Sequence, residues 1–285
     1  MYHGMSPMRL RRRLRTEVRT ARLKSNLTQE QAAKAMEWSL SKMNRIEQAK
    51  SGISANDLRA LLALYGIKDK QQVEELVGLA RESRQTPWWR RQYGDIAPER
   101  LLELMDYESA AAAINQFETT LVPGILQIEE YASAVLQVFY GEKSSADRLA
   151  ELRTARREML TGEKAPAFSF IMDESVIHRV VGSPAVTRRQ LLHLIDLADL
   201  ANVTIQVVPF AASPHPGMKG SFKVIEFEGA PDESIVFLEG PRGDFLSEDP
   251  GEARNYLAEF RRIQEKSLSP LHSADAMRKA AAGMT

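Results

Sequence analysis

Between Leu40 and Glu47 the sequence reads Leu-Ser-Lys-Met-Asn-Arg-Ile-Glu, and winding it as a helix separates two chemistries. Met43 and Ile46, three residues apart, share an apolar side. Ser41, Lys42, Asn44 and Arg45 are left on the outside. A hydroxyl, an ammonium, an amide and a guanidinium on one helix surface can donate to phosphates and to base edges, and a guanidinium can pair bidentately with guanine. The chemistry this set supports is contact with duplex nucleic acid from a helix lying in the major groove.

The constellations of catalysis are harder to find. Asp173-Glu174 and Glu226-Phe-Glu228 place carboxylates at the ends of apolar runs, as metal-dependent nucleases do. Those enzymes carry a Lys two residues after the second acid, and here that position is Glu228. Asp173 is expected instead to cap the helix that follows it. Gly217-Met-Lys-Gly-Ser221 is too short for a phosphate-binding loop, and no Gly-x-Ser-x-Gly elbow is present. His3, His178, His193, His215 and His272 form no His-x-x-x-His pair, and the absence of cysteine excludes disulfides, thiol nucleophiles and thiolate metal sites. The expectation is therefore a protein with no catalytic residue, no metal, no cofactor and no enzymatic activity.

The elements that would position the polar set are short helices. Leu10, Leu14, Val18 and Ala21 recur at helical spacing, so a first helix over about 8–24 buries one stripe and turns its arginines outward. Thr28 with Gln31 is a capping box opening a second helix that runs to about Met36. Ser39 caps a third, ending before Ser51-Gly52; Ser54 opens a fourth that stops at Gly66; Asp69 with Gln72 opens a fifth. Two such helices can cross steeply only over a small side chain, which Ala33 supplies. Residues 1–86 form this helical domain and 87–97 a linker whose Trp88-Trp89 is expected to pack between domains rather than stack on bases.

Beyond the linker, a helix from Pro98 carries Leu101, Leu102 and Met105, a turn at Leu121-Val-Pro-Gly124 leads to a helix around 128–140, and another follows Ser144 and Ser145 with Leu149, Leu152, Ala155 and Met159 on one face. The period then falls to two: Phe168–Met172, Val203–Val208, Phe222–Phe227 and Ile235–Leu238 read as strands. Helices over about 184–201 and 251–266 complete a domain of residues 98–270, and the Ala-rich tail, 271–285, is expected to fray. The fold class is thus mainly α with an α+β C-terminal domain, a five-helix bundle followed by a small sheet covered by helices.

The charge distribution agrees with this division. The 38 basic and 38 acidic residues cancel over the 285-residue chain, yet residues 1–92 hold 19 basic against 9 acidic and the remainder 19 against 29. A basic end joined to an acidic remainder fits a nucleic-acid-binding module attached to one that does not touch nucleic acid. No apolar run approaches the roughly 20 residues that cross a bilayer, and no signal-peptide pattern follows the basic start, so a cytoplasmic, nucleoid-associated protein with no membrane partner is expected.

The stretch Leu27-Thr-Gln-Glu-Gln-Ala-Ala-Lys-Ala-Met-Glu-Trp-Ser39-Leu-Ser-Lys-Met-Asn-Arg-Ile-Glu-Gln48 resembles the Cro/CI-like (XRE) helix-turn-helix family. That resemblance implies a phosphate contact for Gln29, base reading by Leu40, Ser41 and Arg45, and backbone or flanking contacts for Lys42 and Asn44. With Ser39 these residues are the set expected at DNA. The resemblance also implies a partly buried Arg22–Glu47 ion pair fastening the first helix to the third. The family usually has Gly in the turn, where this chain has Glu37, a departure that costs on the order of 1 kcal/mol at positive φ.

The second region, through Val122-Pro-Gly-Ile-Leu-Gln127, Glu129-Glu-Tyr-Ala132, Asp173-Glu174 and Asn202-Val-Thr-Ile-Gln-Val-Val-Pro209, resembles over residues 88–270 the C-terminal domain of the actinomycete WhiJ-like regulators, formerly a domain of unknown function. In that family a neighbouring gene often encodes a small cognate protein, so the resemblance implies a protein partner. The expected function is a sequence-specific transcriptional regulator, a homodimer on a palindromic operator in double-stranded DNA, with a partner- or ligand-binding C-terminal domain. Two alternatives remain open: an antitoxin-like protein that chiefly sequesters its cognate and autoregulates, and a DNA-tethered nuclease-like enzyme.

Overall fold

The computed structural model describes residues 7–48, 51–140, 143–162, 165–212, 214–229, 231–240 and 243–284. The chain divides into two compact units, one of residues 1–92 with 105–110, the other of residues 93–104 with 111–285. The fold is mainly α with an α+β C-terminal domain.

In the first unit α1 (Pro7–Lys24), α2 (Gln29–Ala35), α3 (Leu40–Glu47), α4 (Ala55–Leu64) and α5 (Lys70–Glu82) form a bundle. Each start from α2 onward is capped by the residue the sequence offers: Thr28, Ser39, Ser54 and Asp69 all accept a backbone N–H of the first turn. The ends of α1, α2 and α4 share one device. Asn26, Glu37 and Gly66 take positive φ of 56°, 55° and 78°, and the next residue's N–H reaches back to the carbonyl of Arg22, Ala33 or Leu62. This is the Schellman arrangement, which satisfies carbonyls that a helix end would otherwise orphan. Leu10, Leu14, Val18, Ala33, Met43, Ile46, Leu58, Leu61, Leu62 and Val77 belong to a core complete within this bundle.

Two expectations change here. The arginines of α1 do not all face water: Arg11, Arg12 and Arg15 are half-buried, and Arg11 Nε donates to Ser83 O at 2.9 Å beyond α5. The expected linker holds a helix, α6 (Trp88–Tyr93). Its Trp89 is buried and donates Nε1 to Asp106 Oδ1 at 2.9 Å, while Arg90 pairs with Oδ2 at 2.8 Å. Asp106 lies on α7 (Glu99–Glu108), whose last residues belong to the first unit. Asp106 thus holds two successive side chains of α6 within the first unit.

The second unit contains a six-stranded sheet in the order β3-β2-β1-β4-β5-β6, built from β1 (Ala113–Glu118), β2 (Ala167–Asp173), β3 (Val203–Val208), β4 (Phe222–Glu226), β5 (Ile235–Leu238) and β6 (Phe245–Ser247). The first three run parallel, joined by α8 (Glu129–Tyr140) with α9 (Lys143–Arg156), then by α10 (Glu174–His178) with α11 (Pro184–Leu197). The remaining pairings are antiparallel. Side chains alternate across the strands. Phe117, Ile171, Phe222 and Val224 share one cluster with Phe260 and Ile263 of α12 (Pro250–Gln264). Gly217 closes over that face: a Cβ there would overlap the Phe117 ring.

Residues 270–282, expected to fray, instead form α13 (Pro270–Ala282), with Ser273, Met277, Ala280 and Ala281 buried. The reason is the open edge of the sheet. Val207 N donates to Ser273 Oγ at 3.0 Å, and Leu268 N donates to Val207 O at 2.8 Å, so the end of the chain satisfies backbone groups that edge strand β3 leaves unpaired. Among the described residues no helix is long and apolar enough to cross a membrane.

Candidate nucleic-acid interface

The site is assembled from α2, α3 and the turn between them. Thr28 Oγ1 accepts from Gln31 N at 3.1 Å and Gln31 Oε1 accepts from Thr28 N at 2.8 Å, a reciprocal capping box that squares off the start of α2. After Ala35 the chain reverses through Glu37, with Trp38 N donating to Ala33 O at 2.9 Å. The turn thus keeps the geometry that Gly usually supplies, at the strain cost of a side chain at positive φ. Ser39 Oγ then accepts from Lys42 N at 3.1 Å and opens α3. Ala32 and Ala33 on α2 and Met43 and Ile46 on α3 are buried, so the two helices meet through small and apolar groups and α3 is left with one face outward.

On that face Leu40, Ser41 and Arg45 are exposed, and Leu40 is a large apolar side chain 46% accessible. Asn44 is half-buried. The side chains of Arg45 and Ser41 have no hydrogen-bond or ion-pair partner among the described residues. Lys42 differs from them. Its Nζ sits 3.2 Å from Asp57 Oδ2 at the start of α4 and 3.9 Å from the centre of the Trp38 ring. Both Lys42 and Asp57 are about a third exposed, so this contact restrains the ammonium without removing it from solvent.

Behind the face, Arg22 of α1 and Glu47 of α3 form a buried bidentate pair: Nε to Oε1 at 2.7 Å and Nη2 to Oε2 at 3.0 Å. Arg22 Nη1 also donates to Leu27 O at 2.8 Å in the connection before α2. Hydrogen bonding to Glu47 raises the Arg22 pKa against the effect of burial. One guanidinium therefore joins three elements, and Glu47 is 2% exposed. Gln29, the residue implied to touch a phosphate, donates Nε2 to Glu47 Oε2 at 2.7 Å. Its amide is held from behind, which fixes the first turn of α2 beside α3. Neither this bond nor the Asp57 contact of Lys42 was legible in the sequence, because each depends on how helices cross.

The carboxylates of the second unit are not brought together in the same way. Asp173 Oδ1 accepts from Ser175 N at 2.9 Å, capping α10. Glu226 accepts from Asn115 Nδ2 at 2.7 Å. The register pairs Ala113 with Glu226 at one end of β1 and Glu118 with Met172 at the other, so Asp173 and Glu226 stand at opposite ends of the sheet. Among the described residues no cluster of three His, Asp or Glu side chains could hold a metal ion.

Comparison with known families divides the chain along the same lines. Residues 13–76 match a helix-turn-helix domain. Residues 101–279, more than half of the chain, match a domain of unknown function, DUF5753. No curated protein and no solved structure matches the chain.

Proposed function

The chain belongs to the DUF5753 family, and from that membership, with a helix-turn-helix domain ahead of the family domain, we propose a sequence-specific DNA-binding transcriptional regulator of the Cro/CI-like (XRE) type, related to the WhiJ-like regulators. The observation that carries this reading is α3 itself: capped at Ser39, braced through Arg22, Glu47 and Gln29, and presenting Leu40, Ser41 and Arg45 outward. A braced helix whose guanidinium and hydroxyl have no side-chain partner among the described residues is what direct readout in the major groove requires.

In this reading the N-terminus of α2 meets the phosphate backbone, where the capped helix end favours an anion, and Lys42 and Asn44 serve the flanks. The protein acts as a homodimer on a palindromic operator, since one short recognition helix reads too few base pairs to find a unique site alone. The second unit is a binding module for a partner or ligand rather than a catalyst, and the protein works at the nucleoid in the cytoplasm.

Genome-wide chromatin immunoprecipitation, followed by gel-shift titration of the recovered sites, tests the proposal. The expected result is a recurrent inverted repeat at several promoters. Occupancy of its own promoter alone would favour an antitoxin-like role with autoregulation, and no enrichment of any sequence would overturn the reading.

A further inference from the structure

We propose that Asp57 is a positioning residue that sets the specificity of the DNA interface: by holding the Lys42 ammonium beside the Trp38 ring, it withholds that cation from duplex bound in any register but the one α3 fits. The inference rests on the DNA-binding reading and deepens it by giving a role to a residue outside α2 and α3.

The cations of α2 and α3 are Lys34, Lys42 and Arg45. The side chains of Lys34 and Arg45 are exposed and have no hydrogen-bond or ion-pair partner among the described residues. Lys42 is the one that is held. Its Nζ lies 3.2 Å from Asp57 Oδ2 and 3.9 Å from the centre of the Trp38 ring. Both restraints are themselves anchored. Trp38 packs against the core of the bundle. Asp57 stands in the first turn of α4, where its N–H donates to Ser54 Oγ at 3.0 Å and the adjoining Leu58 is buried.

The pair does little for the fold. Both side chains are 37% exposed, and solvent screens an ion pair at such exposure. Its consequence is where the ammonium sits. An unrestrained lysine swings on four methylenes and follows a phosphate wherever the duplex presents one, which is how sequence-independent binding gains affinity. Between a ring and a carboxylate, the Lys42 charge is partly neutralised and its reach is fixed relative to Leu40, Ser41 and Arg45 on the same helix. An ammonium carries three donors and the carboxylate takes one, so a donor is left for a phosphate. That phosphate is met when the base-reading face is seated in the groove. In other registers Asp57 competes with the phosphate for Lys42 and sets a like charge against it. A contact made in one register and opposed in the rest is discrimination.

Anisotropy titrations of the full chain across a salt series provide the test. The probes are a duplex carrying the motif selected from a random pool and a duplex of the same length and composition without it. Asp57→Asn keeps the side-chain shape and the Ser54 cap, and its melting temperature should stay near that of the wild type. It should bind the motif-free duplex about threefold tighter or more at low salt, with a log–log salt slope steeper by up to about 0.9. Affinity for the selected motif should change less than about twofold, so the ratio between the two falls. In a Lys42→Met background the same substitution should have less than half that effect, whereas the loss of a general acidic charge would act equally in both backgrounds. Lys42→Met by itself, which does not depend on Asp57→Asn folding, should weaken binding to the motif at least about threefold more than binding to the motif-free duplex. An unmoved ratio in Asp57→Asn, an equal effect in both backgrounds, or equal losses on both duplexes in Lys42→Met would each overturn the proposal. A wild type that selects a motif while these outcomes fail leaves the DNA-binding reading intact; a wild type that binds neither duplex overturns both.

Discussion

At the scale of single residues, three side chains make the claims testable. Arg45 has an exposed guanidinium with no partner among the described residues, so Arg45→Ala should leave the melting temperature unchanged while costing about 1–3 kcal/mol of operator affinity and relaxing preference at one base per half-site. Selection from a random duplex pool checks this; an unchanged motif at unchanged affinity would show that α3 reads DNA in another register. Glu47 is the opposite case. Its removal strands the Arg22 guanidinium, buried at 7% exposure, together with the Gln29 amide, and should cost about 3–5 kcal/mol of stability in thermal or urea unfolding. Any loss of DNA binding by Glu47→Ala should then follow the unfolded fraction. Glu118 governs a pH dependence. Its carboxyl is raised from an ordinary 4.5 to about 7 in the folded protein, so ionisation disfavours the fold, and stability falls as pH rises from about 4.5 through about 7. The full span amounts to about 3 kcal/mol. Glu118→Gln should therefore be more stable than the wild type at about pH 8 and little different at about pH 4, and urea midpoints at the two pH values decide it.

At the scale of elements, the first and last helices differ in how far their local sequences reveal them. The α1 stripe of Leu10, Leu14 and Val18 announces its buried face, because a helix repeats every 3.6 residues whatever it packs against. The Ala-rich α13 announces little. Its small side chains carry a weak signal, and its place depends on an edge strand that Ser273 meets 66 residues earlier in the chain. Truncation after Ser267 should free the N–H and carbonyl of Val207, uncover Met277's partners and destabilise the second unit by on the order of 3 kcal/mol or more. The measurements are soluble yield and melting temperature. An exposed β3 edge should also promote aggregation, and a truncated protein that stays soluble and melts as the full chain does would contradict this account of α13.

At the scale of the whole molecule, the division of charge sets the response to salt. The basic excess lies in residues 1–92, though Arg11, Arg12 and Arg15 of α1 are half-buried, so only part of it faces solvent. Operator affinity should fall linearly on a log–log plot against salt, with a slope near −0.9 per phosphate contacted. A fragment of residues 1–86 contains the whole core of the bundle and should fold, yet bind more weakly through loss of the second half-site. Equal affinity for fragment and full chain, read by fluorescence anisotropy across a salt series, would remove dimerisation from the second unit. The helical bundle was legible because its signals are local: Thr28, Ser39, Ser54 and Asp69 each act within one turn of themselves, and α3 shows its apolar side through Met43 and Ile46 alone. The strands over 203–208 and 235–238 were legible through their β-branched and aromatic runs. Central strand β1 was not, because Ala-Ile-Asn-Gln-Phe-Glu alternates too little hydrophobicity to announce itself. Its Gln116 and Glu118 are buried, and its neighbours in the sheet come from residues 167–173 and 222–226. The sequence by itself determined which residues could cap, turn and face outward on α3. The tertiary structure alone decided that Gln29 leans on Glu47, that Lys42 is held between Asp57 and Trp38, and that Gln116 and Glu118 meet one cavity. Gln29 meets Glu47 and Lys42 meets Asp57 only because separate helices pack together, and Gln116 and Glu118 share a cavity only because other strands and helices close around them, so no local period or cap carries the information.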